Sequence, residues 1–380
     1  MATFAPQSLP EWRRAVLKVG SSLLADAGAG LDDRHAVGLA SFIARSREQG
    51  REVVLVSSGA VAAGRGRIAA GGDGIAMKQA LAALGQAALM GFWQGLSAAP
   101  VAQVLLSHDD LRNRRRYLNA RAALQELLRL GALPVVNEND TVAVDELKLG
   151  DNDNLAAAVA SLVDADLLLI ATDIDGLYSG HPQRDPHARP IASVAVVTPQ
   201  LLQAASGGAG ALGTGGMRTK LEAAAKAASA GIATALFCGR DAAVVAALGE
   251  GVLHGTLVAP HGSRLSARKQ WLRHAPVSGV LDIDDGARTA LLRGASLLPG
   301  GVRRVEGDFR RGDVLEVRSA DGIALARGQA QYNAGESARI AGRHSREIET
   351  ILGFRYGEAL VHRDDLVLLH HADGSREATA

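Results

Sequence analysis

Short apolar runs alternate with longer segments of helical periodicity along the first two-thirds of the chain. Residues 15–19, 51–57, 101–106, 133–136 and 166–171 read as strands, because they are brief, nearly continuous in apolar residues and bounded by glycine or polar turns. Between them, helical patterns run from Asp32 and Asp33 to near Gly50, and over 77–96, 119–130, 154–163 and 221–230. Continuous apolar strands alternating with helices imply a mostly parallel sheet covered on both faces, a three-layer α/β sandwich. Ligands of such a sheet gather at the carboxyl ends of its strands.

Near residue 265 the pattern changes. A polar, basic stretch over 264–274 gives way to short strands punctuated by glycine, at 301–309, 313–319, 323–332 and 359–369, with turns at Arg311-Gly312-Asp313 and Asp321-Gly322. The expected organisation is a first domain over 1–265, a small β-rich domain over 275–371 and a frayed tail over 372–380.

Several strand ends carry polar chemistry. Lys18 sits inside an apolar strand that ends in Gly20-Ser21-Ser22, so its amine must reach water or an anion. Ser57-Ser58-Gly59-Ala60 forms a strand-to-helix turn able to hold an anion. Asn137-Glu138-Asn139-Asp140 follows one apolar run, and Asp151-Asn152-Asp153-Asn154 precedes a helix. Such residues also form turns and helix caps, but two clusters this close suit a zwitterionic ligand that needs both donors and acceptors.

A glycine-rich loop from Gly207 leads through Thr214-Gly215-Gly216-Met217-Arg218-Thr219-Lys220 into a helix, an arrangement suited to phosphate. Gly208, Gly210 and Gly213 match the spacing of a dinucleotide-binding turn, yet the residues before them, 198–205, read as helical, whereas that turn must follow a strand. The P-loop pattern does not occur anywhere in the chain.

Composition narrows the classes further. A net charge of +1 offers no chain-wide basic footprint for nucleic acid. The single cysteine, Cys238, closes an apolar run and reads as a buried thiol. No run reaches the roughly 18 apolar residues of a membrane span, and the N-terminus lacks a signal-like segment, so a cytoplasmic protein without membrane contact is expected.

Taken together, Lys18 to Ser22, Ser57 to Ala60, Asn137 to Asp140, Gly150 to Asn154, Thr172-Asp173 and Gly213 to Lys220 resemble the glutamate-phosphorylating members of the amino acid kinase family. The later stretches Ser296 to Pro299, Arg311 to Asp313, Ile351 to Gly353 and His362 to Asp365 resemble the PUA domain that many of them carry. The order of these motifs and the appended domain are more specific than any single motif. The resemblance implies the amino acid kinase fold and transfer of the ATP γ-phosphoryl group to the side-chain carboxylate of L-glutamate, the first step of proline synthesis. It also implies Mg2+ carried with ATP, feedback inhibition by proline, and a homo-oligomer, dimer or tetramer.

By the same resemblance, Lys18, Lys220 and Asp153 are the catalytic residues. The resemblance also implies that Ser58, Asp140 and Asn152 bind glutamate; the chemistry of the side chains then gives Asp140 the ammonium and has Ser58 and Asn152 donating to carboxylates. Lys18, Thr172, Asp173 and the segment Thr214, Gly215, Gly216, Met217, Arg218, Thr219 and Lys220 bind the nucleotide. Phosphoryl transfer to a carboxylate that is already ionised needs charge neutralisation and positioning rather than a base. Asp153 between two lysines would orient both, and helix capping by Asp153 or Asn154 is the plainer alternative. No side chain is assigned to the metal. Over 275–371 there are thirteen Arg, no Lys and fourteen Asp or Glu, a balance that favours a regulatory or assembly role for the second domain over RNA binding.

Overall fold

The structure, a computed structural model, describes residues 4–26, 30–68, 74–143, 152–180, 182, 185, 187–205, 216–262, 272–273 and 275–369. The chain divides into two compact units, Met1–Arg264 and Leu265–Ala380. The tail expected over 372–380 lies outside the described residues.

In the first unit, β1 (Arg14–Val19), β2 (Glu52–Ser57), β3 (Val101–Leu106), β4 (Leu133–Glu138), β5 (Leu167–Thr172), β6 (Ser193–Val194), β7 (Ala233–Cys238) and β8 (Gly255–Val258) form one sheet, ordered β3-β4-β2-β1-β5-β7-β8-β6. Every neighbouring pair is parallel except β7 and β8. One face packs against α1 (Ala36–Glu48) and α3 (Ile75–Leu96), through Leu39, Phe42, Leu89 and Trp93. The other face packs against α5 (Arg114–Arg129), α6 (Asp153–Leu162) and α8 (Met217–Ser229), through Leu124, Leu155, Val159 and Ala223. The three-layer α/β sandwich is therefore as the periodicity implies. Short helices α2 (Ala60–Arg65), α4 (His108–Arg112) and α7 (Pro199–Ala204) fill loops, and α9 (Ala242–Gly249) follows β7.

Strand parity decides which side chains meet. Along β1, Ala15, Leu17 and Val19 join the core beneath α1 and α3, while Val16 joins the core beneath α6, so Lys18 shares the α6 face. In β2 the same alternation turns Ser57 toward α3, and in β4 it turns Asn137 toward α3 and Glu138 the opposite way. A close helix crossing sets the position of α3: a Cβ on Gly85 would lie 1.8 Å from the carbonyl oxygen of Ala60, and one on Gly64 would lie 2.0 Å from that of Leu81.

By length and composition α3 is long and apolar enough to cross a membrane, contrary to the reading that no segment is. Leucine and alanine supply most of that apolar character, and the helix turns Leu81, Ala82, Leu89 and Trp93 into the core while most of its other residues are half-buried or exposed.

The second unit is a five-stranded sheet. Its strands are β9 (Gly279–Ile283), β10 (Val302–Gly307), β11 (Val314–Arg318), β12 (Ala324–Gln329) and β13 (Leu366–Leu368), in the order β10-β9-β11-β12-β13. It also holds α10 (Asp285–Leu292), α11 (Ala334–Ile340) and α12 (Ile348–Leu352), which the glycine-punctuated pattern does not announce. The expected strand over 359–369 is reduced to β13 and an isolated bridge between Leu297 and Val361. His362 accepts a hydrogen bond from the Asp364 N–H and starts a 3-10 turn, Arg363–Asp365, that interrupts the ladder.

Candidate active site

The centre of the site is Asp153, the first residue of α6, fully buried at the carboxyl end of the sheet. Lys18 Nζ lies 2.6 Å from its Oδ1, and Lys220 Nζ donates to its Oδ2 at 3.1 Å. Thr219 Oγ1 donates to the same Oδ2 at 3.1 Å and approaches the Gly216 carbonyl oxygen at 2.8 Å. Lys18 and Lys220 are 4% and 7% exposed, which makes the two ammonium groups costly to bury unless an anion lies beside them. Asp153 is that anion. It is not a side-chain cap: the N-cap of α6 is Asn152, which makes no side-chain capping bond.

Asn152 turns inward instead. Its Nδ2 donates to Ser58 Oγ at 2.8 Å and to Asn137 Oδ1 at 2.9 Å. Ser58 therefore acts as acceptor toward Asn152 and retains its own O–H as a donor. Gly59, at φ 111°, turns the chain from β2 into α2 directly behind it, a conformation that glycine adopts freely. Asn137 Nδ2 in turn donates to Gln86 Oε1 of α3 at 3.1 Å, and Trp93 Nε1 of α3 donates to Ser57 Oγ at 2.8 Å.

Asp140 lies just past β4, half-buried. Desolvation, reinforced by the charge of Glu138, raises its pKa to about 6. Glu138 is buried and meets His108 of α4, with 3.7 Å between Nδ1 and Oε2; the carboxylate raises the imidazole pKa against the opposing effect of burial.

On the other side of Lys18, Thr172 ends β5 and donates to Asp173 Oδ1 at 3.2 Å. Arg240, from the turn after β7, lies 3.8 Å from Asp173 Oδ2 and donates to the Ser22 carbonyl oxygen at 3.4 Å. Gly216 precedes α8, and Met217, Arg218, Thr219 and Lys220 make its first turn, with Arg218 paired to Glu222 at 2.8 Å. Thr214 and Gly215 lie outside the described residues.

Lys18, Asp153 and Lys220 thus meet at one point, Ser58 and Asn152 join beside it, and Thr172 and Asp173 end the adjacent strand. Gln86, Trp93, His108 and Arg240 have no counterpart among the residues singled out from the sequence. For Gln86 a signal existed: it interrupts the buried stripe formed by Leu81, Ala82, Gly85, Leu89 and Trp93.

A buried carboxylate between two ammonium groups, at the carboxyl ends of parallel strands and beside a helix N-terminus, is suited to neutralising a phosphoryl group in transfer. A family model described as the amino acid kinase family matches residues 13–238, and one described as the PUA domain matches residues 279–352. The chain belongs to the amino acid kinase family, with a PUA domain after the kinase unit.

Within that class its sequence is 63% identical over 363 residues to Glutamate 5-kinase of Xanthomonas axonopodis pv. citri (strain 306), covering 93% of this chain and 100% of that protein. It is 60% identical over 375 residues to Glutamate 5-kinase of Xylella fastidiosa (strain 9a5c), covering 96% of this chain and 98% of that one. The crystal structure of UMP kinase from Bacillus anthracis aligns with a TM-score of 0.45 at 16% identity, over 67% of this chain and 98% of that chain.

Proposed function

We propose that this chain is a cytoplasmic enzyme that transfers the γ-phosphoryl group of ATP to the side-chain carboxylate of L-glutamate, giving L-glutamyl 5-phosphate, the first step of proline synthesis. The observation that carries the reading is Asp153 held between Lys18 and Lys220, in a chain 63% identical to proteins named for this activity. The substrate oxygen is ionised at neutral pH, so the reaction needs in-line alignment and relief of charge repulsion, and no general base.

Lys18 and Lys220 flank the phosphoryl group in transfer and balance the charge on its equatorial oxygens, while Asp153 keeps both amines oriented when the site is empty. Ser58 donates its free O–H to a carboxylate of glutamate, while Asn152, whose Nδ2 is engaged by Ser58 and Asn137, turns its Oδ1 to the ammonium together with Asp140. Thr172, Asp173 and the segment from Thr214 to Lys220 hold the nucleotide. Asp153 is committed to two ammonium groups, and Mg2+ would enter on the ATP phosphates, where it would screen their charge.

Proline, a zwitterion like glutamate, would inhibit at or near the glutamate site, in an enzyme that works as a homo-oligomer. The test is ADP release by the purified protein with Mg-ATP and L-glutamate, aspartate or N-acetylglutamate, with hydroxylamine to trap an acyl phosphate and L-proline as inhibitor. Hydroxamate formed only with glutamate is the expected result, and turnover of another acid instead would overturn the substrate assignment.

A further inference from the structure

The glutamate half of the site contains buried polar atoms without partners among the described residues, and they are complementary to one another. Gln86 is 8% exposed, and its Nε2 has no hydrogen-bond partner although its Oε1 accepts from Asn137. Asn152 is fully buried, and its Oδ1 is likewise without a partner although its Nδ2 bonds both Asn137 and Ser58. One is a donor and the other an acceptor, set at the two ends of the amide chain Gln86–Asn137–Asn152. Buried polar groups are nearly always hydrogen-bonded, so an orphaned pair inside an otherwise satisfied network marks the position of something that binds there.

We infer that Gln86 is a glutamate-binding residue, its Nε2 donating to the α-carboxylate of the substrate; the inference rests on the proposed activity and deepens it. The placement follows from the order of the network. The γ-carboxylate must sit at the transfer point marked by Lys18, Asp153 and Lys220. Asn152 adjoins Asp153 in the chain, Asn137 is one hydrogen bond further away and Gln86 two. Gln86 therefore meets the end of the substrate remote from the reaction. An N–H donor there requires an acceptor, which the α-carboxylate supplies and the α-ammonium does not.

The rest of the region agrees with this division: Asn152 Oδ1 and Asp140 supply acceptors for the ammonium. The orientation of the Gln86 amide is set by Asn137, whose Nδ2 occupies Oε1. The position of its backbone is set by the crossing of α2 and α3 at Gly85, the preceding residue, where no side chain fits.

The test compares L-glutamate with its α-amide, which keeps the γ-carboxylate and the ammonium but replaces the negative α-carboxylate. Gln86→Glu is nearly isosteric and keeps an acceptor for Asn137, while it places an oxygen where the donor was. Gln86→Met removes both functions at similar volume and serves if the charged variant fails to fold.

In the inferred arrangement both variants raise the Kd and KM for glutamate about tenfold or more, the loss expected for a hydrogen bond to a charged group. The KM for ATP stays within about twofold and affinity for the α-amide changes little, so the preference of the wild type for glutamate over its α-amide collapses. A purely structural role for Gln86 would weaken both ligands by the same factor, and that result overturns the inference. So does a glutamate affinity that stays within twofold of wild type. Kd is measured calorimetrically beside the assay. A wild type that binds glutamate without turning it over thus overturns the proposed activity, while the ratio of the two ligands still decides the role of Gln86.

Discussion

Lys18 Nζ lies 2.6 Å from Asp153 Oδ1, joining the middle of the central sheet to the first residue of α6 in a contact shielded from solvent. Removing the carboxylate leaves two buried ammonium groups facing each other. For Asp153→Asn we expect kcat to fall about 100-fold or more, as when a group that organises transition-state charge is lost. The same variant should lose about 3–5 kcal/mol of stability, as when one partner of a buried pair is removed. Because ATP phosphates would replace the missing anion, ATP should raise the Tm of the variant more than that of wild type. Calorimetry with and without nucleotide checks this, and an equal rise in both proteins would argue against the lysines facing phosphate.

The two lysines approach Asp153 through different oxygens, so they are not interchangeable. Lys18→Met and Lys220→Met should each lower kcat about 100-fold or more with little change in the KM for glutamate. Steady-state kinetics decide it, and a variant with unimpaired kcat would remove that lysine from the transfer step.

Asp140 provides a pH signature. Its pKa is raised to about 6, so below that pH the free site holds a neutral carboxyl that cannot pair with the substrate ammonium. The KM for glutamate should climb as pH falls through about 6, and Asp140→Asn should flatten that limb while raising KM at neutral pH. The sign for folding is opposite: the folded protein binds the proton more tightly than the unfolded chain, so the contribution of Asp140 to stability declines as pH rises from about 4 to 6.

Trp93 holds Ser57, the neighbour of Ser58, by an indole hydrogen bond of 2.8 Å inside the core. Trp93→Phe keeps the ring and deletes the donor. It should cost about 1 kcal/mol of stability and raise the KM for glutamate more than that for ATP. Urea denaturation and kinetics measure the two effects separately.

Gly85→Ala would drive a methyl group into the Ala60 carbonyl oxygen, which is backbone and cannot rotate away. The variant should lose about 1–3 kcal/mol and bind glutamate more weakly, since α3 carries both Gln86 and Trp93. Gly91→Ala, on the same helix with open space at its Cβ, should keep both stability and affinity and serves as the control.

Much of the framework is legible locally. Val16, Val54, Val136 and Leu168 belong to short apolar runs whose bounding turns mark strands, and the alternation of those runs with helices is enough to define a parallel sheet. Lys18 stands out because a cation in such a run requires an explanation, and glycines before a helix that carries Lys220 in its first turn form a sequence pattern suited to phosphate. The three helices of the second unit were not legible, since α11 and α12 are short, lie among glycines and hold their place by packing Ile340 and Ile348 into a core formed elsewhere.

Which polar side chains meet is a different kind of fact. Lys220 reaches Asp153 across 67 positions, Asn152 reaches Ser58 across 94, and Asn137 reaches Gln86 across 51. Local periodicity places each of these residues on a face of its own strand or helix, but strand order and helix crossing decide which faces oppose one another. Parity sends Ser57 and Asn137 toward α3, and the contact at Gly85 then brings Gln86 and Trp93 down to meet them. The chain therefore declares its elements and singles out Lys18 and Lys220 from local chemistry, while the partners of its buried amides exist only once the sheet is assembled, because distant segments acquire neighbours only through packing.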